Sequence, residues 1–142
     1  MEIKTPALQR LYRAWEEKRA GRDFPARRDF DPLDLKYVLG NLSLIDVRYD
    51  PLRFRYRIHG TNIAERTGKE LTGREVAAIE LSEHRNLATQ HFIQVIERRV
   101  PIVHYRRHAL VDNRVWSYEA LVMPLSSDGK TIDMLMSTLM WQ

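Results

Sequence analysis

At 142 residues the chain has the length of one domain, and a hydrophobic content of 44% can form a core that needs no covalent staples. It contains no cysteine, which excludes disulfides, thiolate nucleophiles, zinc-thiolate sites and flavin-cysteine adducts together. Lys and Arg number 23 against 19 Asp and Glu, a formal net charge of +4, but the two signs are interspersed and mark no dedicated nucleic-acid surface.

Thr5-Pro6 followed by Leu8, Leu11, Tyr12 and Trp15 predicts a helix with a proline at its first position and an apolar stripe, closed by Gly21. That stripe must be covered, either by the chain's own sheet or by a second copy in a homodimer. Asp31-Pro32 repeats the start signal, Leu35, Val38 and Leu39 supply a buried face, and Gly40 repeats the stop, predicting a second helix.

From Leu42 the period changes to two. Ile45, Val47 and Tyr49 alternate with Asp46 and Arg48; beyond Asp50-Pro51-Leu52, Phe54, Tyr56 and Ile58 alternate with Arg53, Arg55 and Arg57. A two-residue or four-residue loop puts both apolar rows on one face, and the two-residue register sets Asp46 opposite Arg57. Gly60 turns the backbone off the sheet, Thr61 to Thr67 forms a short helix ended by Gly68, and Gly73 marks a turn.

Ser82 caps a longer helix with Glu83 in its first turn; Leu87, Ala88, His91, Phe92, Val95 and Ile96 form its stripe, and Pro101 marks the exit. Two strands meet across Asp112-Asn113 in a tight hairpin, which aligns Tyr105, Arg107 and Ala109 with Trp116, Tyr118 and Ala120 and sets Arg106 facing Glu119. After SSDG the last strand, TIDMLMSTLMW, is apolar on both faces and is expected at the centre of the sheet. No apolar run reaches the roughly 20 residues that cross a bilayer, and MEIKTPALQR lacks a signal-peptide core, so a soluble, unprocessed cytoplasmic protein is expected.

Four segments, LYRAWEEKR, FPARRDFDPLDL, FRYRIHGTNIAERTGKELTGR and YEALVMPLSSDG, resemble the small PAS-like family of alphaproteobacterial proteins that often stand alone as single domains. The resemblance implies an α+β fold with a five-stranded antiparallel sheet in the order 2-1-5-4-3, short helices over one face, a helical extension over residues 1–40 and a PAS-like body over 41–142. It also implies sensing or adaptor work in a bacterial cell, with signal transduction by binding a small molecule, a protein partner or both, and no catalysis.

Within that frame the ligand-pocket candidates are Tyr56, Ile58, His91, Phe92, Val95, Tyr105, Arg107, Trp116 and Tyr118. Arg107 is the candidate for an anionic ligand group. The partner or dimer candidates are Leu8, Leu11, Tyr12 and Trp15. His91 on the long helix is the residue through which a haem would be held, against the plainer reading of a hydrogen-bonded core histidine; His104 and His108, about 13 Å apart along a strand, cannot share one metal ion. GTN after a strand lacks the remaining glycines or lysine of a nucleotide loop. Arg53, Arg55 and Arg57 form a solvated row, or Arg53 and Arg55 form a docking face for an acidic partner, Arg57 being set aside by its pairing with Asp46. A cavity enzyme using His91 as base and a basic nucleic-acid binder are the alternatives.

Overall fold

In the computed structural model, which describes residues 1–111 and 113–142, the first helix, α1, spans Pro6–Arg19. Thr5 sits at its N-cap without a side-chain cap bond; instead the backbone N–H groups of Lys4 and Thr5 donate to the Glu119 carboxylate at 2.7 and 2.8 Å. Ala20 ends the helix in the left-handed region, ahead of Gly21. The second helix expected around Asp31 is replaced by two 3-10 turns, Pro32–Leu35 and Leu39–Asn41. Asp31 does cap, accepting from the Leu33 N–H at 2.9 Å, but of the expected buried face only Leu35 and Val38 are buried while Leu39 is exposed, and two anchors over so short a span pin a bent segment rather than propagate an α-helix.

Strands β1 (Leu42–Arg48) and β2 (Arg53–Ile58) form the expected hairpin, with Arg48 opposite Arg53 and hence a four-residue loop. A register shift at Leu44/Ile45 sets Asp46 opposite Arg55; Arg57 still reaches Asp46, diagonally, at 3.0 Å. Helices α2 (Thr61–Thr67) and α3 (Ser82–Arg98) follow. The N-cap of α3 is Leu81 rather than Ser82, which is the first helical residue.

Strands β3 (Ile102–Val111), β4 (Arg114–Leu125) and β5 (Met134–Trp141) complete one antiparallel sheet in the order β2-β1-β5-β4-β3, with the two-sidedly apolar β5 at its centre. Asn113 in the β3-β4 turn has a φ of 58°, while Asp112 lies outside the described residues. This is the PAS-like arrangement that the sequence implied.

The faces of the sheet are covered differently. On the outer face α1 lays Leu8, Leu11 and Trp15, all buried, into one core with Leu121, Met123 and Met136, and the Trp15 indole N–H donates to the Pro124 carbonyl at 2.9 Å. The apolar stripe of α1 is therefore consumed within the chain, and only Tyr12, half-buried, keeps an exposed edge. On the inner face lie α2 and α3, with Phe92 packed edge-on against Phe54 at 5.5 Å between ring centroids.

Candidate functional site

Small side chains on the inner face of the central strands create a cavity. Ser43 of β1 pairs with Ser137 of β5, and Ala120 of β4 pairs with Leu139, so the middle of the floor carries little bulk. The roof is the α3 stripe His84, Leu87, Ala88, His91 and Phe92, spaced i, i+3, i+4, i+7 and i+8 as one face of a helix requires. Tyr56 of β2, His59 beyond it, Ile63 and Thr67 of α2, and Trp116 and Tyr118 of β4 close the sides around a cavity of about 60 Å³.

Gly60 fixes the corner where the chain leaves the sheet for α2. Its φ of −59° is open to any residue, but a Cβ there would lie 2.7 Å from the Gly40 carbonyl oxygen and 3.1 Å from the Leu42 nitrogen. Glycine is needed for close backbone approach, not for a left-handed turn. The Gly60 N–H donates to Ser43 Oγ at 3.1 Å, tying the corner to the cavity floor.

Three buried histidines give the cavity its chemistry. The His59 Nδ1 accepts from the Leu71 N–H at 3.3 Å, and the His91 Nε2 donates to the Ile102 carbonyl at 2.9 Å, so both rings are assigned as Nε2–H tautomers. His84 packs edge-on to Trp116, and its buried Nδ1 has no hydrogen-bond partner. A buried ring nitrogen without a hydrogen-bond partner among the described residues costs stability, whether its tautomer makes it donor or acceptor.

Burial drives the His91 pKa down to about 3, with the stacked His104 ring and Arg106 adding to the fall. Burial likewise lowers His84 to about 4, helped by His59, and lowers His59 against the opposing charge of Glu70. Burial raises the phenols of Tyr56 and Tyr118. All five groups are neutral at pH 7, and among the described residues no Lys, Arg, Asp or Glu lines the cavity. The site can hydrogen-bond a guest but offers it no ion pair.

The cavity thus brings together Tyr56, His91, Phe92, Trp116 and Tyr118 from the candidates and leaves four outside. Ile58 is carried to the outer face, opposite Leu44 and 46% exposed, by the shift at Leu44/Ile45. Val95 is one turn too far along α3 and is sealed in the core. A bulge between Arg106 and Ala109, with His108 at φ 57°, reverses the parity of β3. Tyr105 therefore pairs with Glu119 on the outer face and donates its hydroxyl to that buried carboxylate, while Arg106, not Arg107, lies beside Tyr118. Arg107 projects exposed from the bulge and does not line the cavity.

His59, His84, Ser43 and Ser137 are the lining residues that hydropathy reading passes over. Their signal was parity: Ser43 and Ser137 each fall on the side of their strand that carries Ile45 or Leu135. A haem on His91 does not fit, because the Nε2 is held by Ile102 and the space is far below the roughly 300–1,000 Å³ of ordinary cofactor and drug sites. Among the described residues no group of three or more His, Asp or Glu is placed to hold a metal ion, and no helix is long and apolar enough to cross a membrane.

A family model for the PAS domain matches residues 3–140, nearly the whole chain. The chain belongs to the PAS domain family. No curated protein and no solved structure matches it. The PAS assignment makes it a sensory or signalling domain in the general sense, and the match takes in α1 as well as the sheet, in keeping with the single core that α1 shares with β4 and β5.

Proposed function

We propose that this PAS domain is a sensor that holds a small uncharged, hydrogen-bonding molecule in its inner cavity and signals through contact with a protein partner in the cytoplasm. The observation that carries this reading is the unpartnered His84 Nδ1 in a cavity lined by neutral polar groups. A guest that hydrogen-bonds to His84 Nδ1 would satisfy that nitrogen, and a charged guest would lose its hydration with no counter-charge to replace it. The size of the cavity restricts the guest to a few non-hydrogen atoms, since one water needs roughly 10–15 Å³ of such space. The shape change begins at α2 and α3, the elements that cover the guest.

Catalysis is not part of this reading. A cavity enzyme needs a poised base, and His91, held at about 3, spends its donor on Ile102. The test is to identify by mass spectrometry the small molecules released when fresh protein is denatured, then return each to stripped, refolded protein. One uncharged compound near one per chain, which on return slows deuterium exchange in α2 and α3, supports the proposal. Absence of such a compound, or one whose return leaves exchange unchanged, overturns it.

A further inference from the structure

Coverage of the outer face stops short of β2. Between the Pro32–Leu35 turn and the β1-β2 ladder lies a recess of about 100 Å³ walled by Phe30, Leu35, Leu42, Leu44 and Met136, with Ile58 and Leu39 standing 46% and 41% exposed at its lip. On the same face the ladder continues from Leu44/Ile58 to Asp46/Arg55 and then Arg48/Arg53. An apolar slot therefore runs, within two residue pairs, into an arginine row. Asp46 is taken by Arg57 at 3.0 Å, and among the described residues Arg48, Arg53 and Arg55 form no ion pair.

We propose that this half of the outer face docks an acidic amphipathic segment of a protein partner, its apolar side chains in the recess and its carboxylates on Arg48, Arg53 and Arg55. Charge complementarity selects the acidic partner, with the apolar recess fixing its register. A second copy is disfavoured, because a two-fold contact through this face sets one arginine row against another. Strand addition at β2 is closed off where the Tyr56 N–H donates to Arg74 at 2.9 Å and Tyr56 accepts from the Gly73 N–H at 2.7 Å, so the partner meets side chains rather than a bare edge. Nucleic acid would find no stacking ring in the recess beyond the buried Phe30. This inference rests on the signalling-by-contact half of the proposed function and not on the cavity.

The probe is a short fluorescent synthetic helix with leucines along one face and glutamates on the other, titrated into the full chain by anisotropy at low and moderate salt. Saturable, salt-sensitive binding is expected, about tenfold weaker for a scrambled peptide of the same composition and for Ile58→Asp, and weaker again for Arg53→Glu with Arg55→Glu. All three substituted side chains are exposed, and circular dichroism confirms that the variants fold. Equal binding of the scrambled peptide, no effect of Ile58→Asp, or no saturable binding overturns the proposal. So does a wild-type dimer in sedimentation that Ile58→Asp dissociates while the peptide fails to bind, which assigns the face to a second copy. Salt-sensitive binding of single-stranded DNA without peptide binding also overturns it. None of these outcomes bears on compounds released from the cavity, so failure here and failure of the ligand reading are separable.

Discussion

On the outer face of the central strands, Leu121, Met123 and Met136 fill the space beneath α1 until nothing of them meets solvent; on the inner face of the same strands, Ser43, Ala120 and Ser137 leave space beneath α3. The outer face also contains one buried charge, and it is fully served. The Glu119 carboxylate accepts from the Lys4 and Thr5 backbones and from the Tyr105 hydroxyl; burial works to raise its pKa, but these hydrogen bonds outweigh burial and hold it below the usual range. Among the described residues no charge lines the inner cavity, and two buried ring nitrogens on that side, His84 Nδ1 and Trp141 Nε1, have no partner; the outer face of the sheet itself leaves only the Thr138 hydroxyl so. A single sheet thus separates a closed, anchored side from a side left open to a small guest. Close packing stabilises the first, and incomplete packing gives the second its use.

The sharpest way to break that contrast is acid. His84 and His91 have folded pKa values near 4 and 3 against 6.5 in the unfolded chain, so the unfolded state binds more protons throughout that interval. Their neutral burial costs nothing above pH 6.5 and destabilises progressively as pH falls toward 4, by about 1.4 kcal/mol per unit for each histidine. Urea midpoints measured from pH 7.5 to 4.5 should fall steeply below 6.5. His84→Phe, which cannot charge, should flatten the slope, leaving the part owed to His91 and to His59 and His104, whose pKa values burial also lowers.

Next in size is the anchor on the outer face. Glu119→Ala leaves two backbone N–H groups and a hydroxyl without their shared acceptor, and should cost about 3 kcal/mol in urea unfolding while making the chain before α1 sensitive to protease. Gly60→Ala pushes a methyl against the Gly40 carbonyl and should cost about 2 kcal/mol by the same assay, despite a φ that alanine accepts. Smallest is Ser137→Leu, which grows into existing space on the inner face and should change stability by less than about 1.5 kcal/mol.

Hydropathy period and turn residues revealed α1, the five strands, the central place of the last of them and α3, because the apolar spacing of each survives tertiary packing, while the full strand order was implied by the PAS resemblance. They failed where one residue changes parity. The shift at Leu44/Ile45 moved Ile58 out of the site, and the bulge at Arg107-His108 exchanged Arg106 for Arg107 and sent Tyr105 to Glu119. A bulge is a backbone event of one residue, and β3 carries no glycine to announce it. The cavity itself was hidden for another reason: serine and alanine floors read as weak strand positions, although their smallness is what makes the room.

A sensor role through the inner cavity requires that the cavity hold a guest. Native mass spectrometry of wild-type protein beside Ser137→Leu, with circular dichroism confirming equal folding, tests this directly. The account predicts one small uncharged molecule per wild-type chain and none on the plugged variant. The same adduct on both proteins, or on neither, would contradict it.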